Sequence, residues 1–318
     1  MPVRANRRET IGLLAAAAAF APSIGRAQDL PTPPPDPAEE PHPEDVTVPT
    51  VKTAALQVTA PIHIDGEGPF QFIVDTGANT SCIAATLAQT LNLPPGPLVK
   101  VNTVAGARNR QSVLVDRLQV GARVHRRVRA PVLPVTGLPA DGVLGVDWLK
   151  GQRLVLGFSD DRLEITRSRA DKPSDTSVVV PARRRSGQLT IVDADLSGER
   201  ISAIIDSGSE VSLGNFPLRE LARRKDKTFR PGAPVGLISV AGERFVGEAG
   251  FLPWVRLGGL QMGAVPVVYA DSHVFRIWDL GRAPALIIGM DLLRQFDSVA
   301  LDFGRSAVRF DALDMKLG

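Results

Sequence analysis

A single cysteine, Cys82, stands in 318 residues, so no intramolecular disulfide can form and the fold must hold by packing alone. A lone Cys of this kind reads as a small buried apolar residue. The four histidines, His42, His63, His125 and His273, are scattered, with no Cys companion and no spacing that sets two on one face, so no metal site is expected. A P-loop, a G-x-S-x-G elbow and a dinucleotide fingerprint are all missing, and no cofactor is expected either. Aromatic residues make up only 5% of the chain, which points to aliphatic walls for any substrate cleft. An excess of one charge sign is also missing. The formal net charge of +3 is supplied within residues 1–27 by Arg4, Arg7, Arg8 and Arg26 against Glu9, which leaves the rest near neutral. A nucleic-acid partner therefore has no electrostatic footing, and the short basic runs at Arg126-Arg127-Val128-Arg129, Arg183-Arg184-Arg185 and Arg223-Arg224-Lys225 read as solvated surface.

The N-terminus carries Arg7-Arg8, an apolar run over residues 11–21, and Gly25 and Ala27 flanking Arg26, the pattern of a secretory signal over residues 1–27. Eleven residues fall short of the roughly 20 that a membrane-spanning helix requires, so no membrane anchor is expected in the mature chain. The arginine pair resembles a twin-arginine export signal, with Thr10 where that motif carries a bulky apolar residue; general secretion stays open as the alternative. A periplasmic or secreted location follows as the expectation. Residues 28–50 are rich in proline and acid and read as a semi-rigid linker, with an inhibitory segment as the other reading.

Beyond this point the chain is written twice. Phe72-Ile73-Val74 leads into Asp75-Thr76-Gly77, and Ala203-Ile204-Ile205 leads into Asp206-Ser207-Gly208. Val104-Ala105-Gly106 and then Val143-Leu144-Gly145 follow the first triplet; Val240-Ala241-Gly242 and then Ile287-Ile288-Gly289 follow the second. Each half ends in a hairpin pattern, Leu154-Val155-Leu156 before Leu163-Glu164-Ile165 and Val299-Ala300-Leu301 before Val308-Arg309-Phe310. Short apolar runs punctuated by 29 Gly and 26 Pro indicate a mostly β chain. Short helices are expected over residues 84–91 and 218–225 and after Val146 and Met290, with Asp147 and Asp291 as caps of the last two. One D-[ST]-G triplet is an ordinary turn sequence; a pair at matching places in a repeat is a candidate for two carboxylates that work together.

These motifs resemble the aspartic proteases, in a single-chain duplicated version of the retropepsin-like domain such as the bacterial aspartyl proteases carry. The resemblance covers residues 51–314 and implies an all-β fold: two retropepsin-like β-barrel domains in tandem, over residues 51–170 and 187–314, joined by a linker over 171–186, with a few short helices and the active site at the interface. It implies an exported aspartic endopeptidase whose catalytic residues are Asp75 and Asp206, supported by Thr76, Gly77, Ser207 and Gly208, with Thr76 and Ser207 bracing the two loops against each other. Flap residues would be Ala105, Gly106, Ala241 and Gly242, and the partner a peptide or protein substrate, with the chain complete as a monomer. Two carboxyl groups sharing one proton supply both the base and the acid that amide hydrolysis needs. Two departures from the family stand out, Glu210 just past the second triplet and flaps without the Tyr of pepsin-type enzymes. The alternative is a catalytically inactive peptide-binding module of the same fold.

Overall fold

The computed structural model describes residues 12–14, 45–53, 57–134, 138–171, 176–185, 188–191, 193–230 and 232–312. The expected signal over residues 1–27 and the proline-rich segment over 28–44 thus lie outside the described residues, apart from Gly12–Leu14, which pairs in parallel with Leu237–Ser239. Among the described residues no helix is long and apolar enough to cross a membrane.

Each half folds its apolar runs into the same strand order. In the first, Glu67–Val74 pairs in parallel with Gly142–Leu144, which runs antiparallel to Cys82–Ala84; that strand is parallel to Arg123–Leu133, itself the hairpin partner of Ser112–Val120. Val58–Ile64 pairs with both Glu67–Val74 and Ser112–Val120 and so closes the sheet on itself. The second half repeats the order with Ser202–Ile205, Ala285–Ile288, Leu213–Gly214, Leu260–Tyr269 and Arg244–Leu257. Ala194–Leu196 makes the closing pair there with Arg244–Leu257. The parallel strand after each Asp-containing turn is buried from end to end, at Gly142–Leu144 and Ala285–Ile288, which is why these segments read as unbroken apolar runs rather than alternation.

A third layer joins the halves. The expected closing hairpins form, as Gln152–Gly157 with Arg162–Arg167 and Phe296–Asp302 with Ala307–Ala312, and their inner strands pair antiparallel across the two halves from Arg153↔Asp302 to Gly157↔Ser298. Val46–Pro49 extends this sheet on one side and Ser177–Arg185 on the other. Residues 28–50 and 171–186, read from composition as linkers, each therefore contain a sheet strand. Val178-Val179-Val180 supplies the apolar residues for the second, with Val180 fully buried, and proline in the first falls on the sheet edge, where no ladder donor is required. Leu154, Leu156, Leu163, Ile165, Val299, Leu301, Val308 and Phe310 bury the face of this joint sheet.

The expected helices are present as Ala85–Thr90, Phe216–Lys225, the 3-10 turn Val146–Leu149, and Met290–Leu293. Phe216–Lys225 begins at Asn215, whose side chain accepts from the Leu218 amide at 2.9 Å, and its apolar stripe of Leu218, Leu221 and Ala222 is buried. His273–Ile277 forms a further helix that the apolar pattern gave no sign of. Arg126, Arg127, Arg129, Arg183, Arg184, Arg223 and Arg224 are exposed, in keeping with a solvated surface.

Candidate active site

Both D-[ST]-G triplets form the turn between a buried strand and the loop that follows it. Asp75 N–H donates to Leu144 O and Asp206 N–H donates to Ile288 O, each at 3.0 Å, so each aspartate is pinned at the end of the parallel pair in its own half. The first oxygen of each carboxyl accepts from the turn: Asp75 Oδ1 from Gly77 N at 2.8 Å and Ala78 N at 3.0 Å, Asp206 Oδ1 from Gly208 N at 3.0 Å. Asp75 Oδ2 is buried and takes no backbone or hydroxyl donor; its neighbour is the Asp206 carboxyl, with which Asp75 is hydrogen-bonded once the pair holds a proton. A side chain at residue 77 would place its Cβ 2.5 Å from Asp206 Cγ, so only glycine lets the two carboxyls meet.

The hydroxyls of Thr76 and Ser207 tie the two turns together with near two-fold symmetry. Thr76 Oγ1 donates to Ile205 O at 2.9 Å and accepts from Ser207 N at 3.1 Å; Ser207 Oγ donates to Val74 O at 2.7 Å and accepts from Thr76 N at 3.1 Å. All four bonds are buried and cross between halves. Ser207→Ala removes two of them and leaves the Thr76 amide without a partner, which is expected to cost about 1–2 kcal/mol in urea unfolding. Thr76→Ser keeps the hydroxyl and should stay near wild type.

A second brace repeats behind each turn. Ser81 N and Oγ donate to Asp147 at 3.0 and 2.8 Å while Ser81 Oγ accepts from Gly145 N; Ser212 N and Oγ donate to Asp291 at 3.0 and 2.7 Å while Ser212 Oγ accepts from Gly289 N. Asp147 and Asp291 are thus not the helix caps that were expected. The cap positions belong to Gly145 and Gly289, where a Cβ would lie 2.8 Å from Ala78 O and 2.6 Å from Val211 O, too close for aspartate. Gln57 is a further residue without a sequence signal: its Nε2 reaches across to Gly208 O at 2.5 Å and steadies the second turn from the first half. Cys82 is buried behind the first turn, and burial together with the charges of Asp147 and Asp75 raises its thiol, which keeps it inert.

Two hairpins carry the Val-Ala-Gly motifs of the repeat. Val99–Thr103 and Gly106–Arg110 turn over Val104 and Ala105; Pro234–Ser239 and Arg244–Leu257 turn over residues 240–243. The expected flap residues Ala105, Gly106, Ala241 and Gly242 fall at these tips. Gly106 at φ +151° and Gly242 at φ +80° adopt backbone conformations that disfavour any other residue. The first hairpin begins at Val99, five residues ahead of the Val104-Ala105-Gly106 motif at its tip. Arg110 of the first hairpin donates to Ala241 O on the second tip at 3.3 Å, and Ser272 Oγ and His273 N both donate to Val104 O, at 3.0 and 2.8 Å.

The electrostatics follow from this enclosure. Asp75 and Asp206 are each 1% exposed. Burial pushes Asp75 up to about 6, against the pull of hydrogen bonds from Asp206, Gly77 and Ala78. Burial first, and then the charge and hydrogen bond of Asp75, raise Asp206 well above the usual carboxylate range. The pair thus titrates as a unit whose lower step lies near 6. Among the described residues no group of three His, Cys, Asp or Glu side chains is placed to hold a metal ion.

Family comparisons divide the chain as its strands do. Residues 60–151 match the family model of gag-polyprotein aspartyl proteases, and residues 192–292 match a second aspartyl protease family model. No curated protein matches the sequence. Each match spans one Asp-containing turn, one flap and the apolar-apolar-Gly strand that follows. The chain therefore belongs to the aspartyl proteases, as two retropepsin-like domains in tandem.

Proposed function

We propose that this chain is an exported aspartic endopeptidase in which Asp75 and Asp206 act as one catalytic dyad. The observation that carries the reading is the meeting of two buried carboxyls at the junction of the halves, on turns locked by Thr76 and Ser207. In the singly protonated pair, the ionised carboxylate takes a proton from a water molecule, whose oxygen attacks the peptide carbonyl carbon. The protonated partner hydrogen-bonds the carbonyl oxygen as negative charge builds on it. A proton then passes from the dyad to the amide nitrogen, the C–N bond breaks, and the pair is left with one proton again. The flaps supply hairpin edges along which an extended peptide can lie in β fashion. One chain holds both carboxyls, so no second copy is needed to complete the site.

Incubating the purified chain with an unfolded protein and identifying the cut bonds by mass spectrometry tests this function. Cleavage by the wild type that disappears in Asp206→Asn supports it, whereas a chain that binds peptides without cutting them is the inactive module.

Export rests on the Arg7-Arg8 pair ahead of the apolar run. Changing both to Lys is expected to leave the precursor in the cytoplasm if the twin-arginine route is used. Unchanged secretion, followed by fractionation and immunoblotting, assigns general secretion instead.

A further inference from the structure

We propose that Glu243 is a clasp that fastens the two flaps to each other and so governs the entry of substrate. Its consequence for turnover rests on the peptidase reading; its geometry does not. Thr103 and Ser239 occupy the same place in the repeat, each directly before a Val-Ala-Gly tip. Both are buried, and both donate their hydroxyl to the one acceptor, Glu243 Oε2, at 2.7 Å in each case. Thr103 lies on the first flap; Ser239 and Glu243 lie on the second. A single carboxylate therefore joins the roots of both tips.

The remaining contacts have the same sense. Glu243 Oε1 is buried without a hydrogen bond and faces two cations of the first flap, Arg110 NH2 at 3.7 Å and Arg108 Nε at 4.0 Å. Arg110 also donates to Ala241 O on the second tip at 3.3 Å. The position matching Glu243 in the first flap is Ala107, so the clasp is one-sided despite the symmetry of the frame around it. A half-buried carboxylate that leaves one oxygen without a hydrogen bond holds the flaps by few bonds. It suits a contact that has to break. Both dyad residues are 1% exposed, so a peptide reaches them only when covering elements move, and the flaps are the elements that part. Parting breaks the Glu243 bond to Thr103 and its approach to Arg108 and Arg110, while the bond to Ser239 travels with the second flap.

Hydrogen exchange read by mass spectrometry on the intact chain tests the clasp without reference to activity. In Glu243→Gln, which keeps the size and loses the charge, peptides covering residues 99–110 and 234–245 are expected to exchange at least about fivefold faster, while Ala285–Ile288 in the core is unchanged. Thr103→Val removes the bond between flaps together with the Thr103 hydroxyl's bonds to Gly106 O and from Ala105 N inside the first tip, so its test is the second flap, where residues 234–245 should exchange faster as well. Because the apparent affinity scales with the open fraction, KM for a peptide should fall by a similar factor, about fivefold, in both variants with kcat within about twofold. Unchanged flap exchange in both variants, or equal acceleration in the core, overturns the clasp. Faster flap exchange with KM unmoved overturns its role in entry. Faster flap exchange in a chain that cuts no peptide at all leaves the clasp standing and removes the peptidase reading.

Discussion

Asp75→Asn, made in the intact chain, is expected to lower kcat for peptide cleavage by about 10³-fold or more, and Asp206→Asn to do the same, since each removes both general acid and general base action from a two-group device. The amide keeps the size of the carboxyl and can still accept from Gly77 and Ala78, so the turn should survive. What is lost is the proton that the pair passes back and forth. The double variant should be no worse than either single one, because residues that act as one unit are not additive. In the wild type, activity should rise as pH increases through about 6, where the pair passes from two protons to one and first gains a base. Single-turnover cleavage across this range, with circular dichroism as the check on folding, measures both effects. Full activity in either single variant would sink the shared dyad.

The same Asp75→Asn substitution is expected to make the protein more stable at neutral pH. Asp75 titrates near 3.8 when unfolded and near 6 when buried in the fold. A carboxyl raised in this way favours folding below its unfolded value, and that contribution disappears as pH climbs through the folded value. At pH 7 the folded wild type therefore carries a penalty of about 3 kcal/mol at this residue that the amide does not carry. Asp206 is relieved as well, because part of its own rise comes from the charge of Asp75. The variant should unfold at higher urea at pH 7 and lose its advantage below about pH 4. Equal stability of the two proteins at neutral pH would mean that water reaches the carboxyls more freely than their burial implies. An inactive but more stable variant is the mark of a site that trades stability for chemistry.

Much of the frame was legible because its signals are local. The triplets at Asp75 and Asp206 are turns whose glycines are fixed by close approach, the apolar-apolar-Gly runs are buried parallel strands, and the flap glycines sit where φ is positive. The strands within residues 28–50 and 171–186 were hidden for a physical reason. Val46–Pro49 is only four residues long and Ser177–Arg185 carries Pro181 and three arginines, so composition reads both as linkers until the hairpins they pair with are in place. Asp147 and Asp291 were misread as caps because acid near a helix start fits that role, whereas their partners Ser81 and Ser212 lie 66 and 79 residues away.

By itself the sequence determined that the chain is a duplicated β protein with two equivalent acidic turns, since duplication, periodicity and turn chemistry act over a few residues and survive in one dimension. Only the tertiary structure decided who meets whom: Thr76 with Ile205, Ser207 with Val74, Gln57 with Gly208, Thr103 with Glu243. Each of these bonds spans more than a hundred residues, at separations of 129, 133, 151 and 140. No spacing rule reaches that far, because the contact exists only after the halves have closed their own sheets and joined through Gln152–Gly157 and Phe296–Asp302.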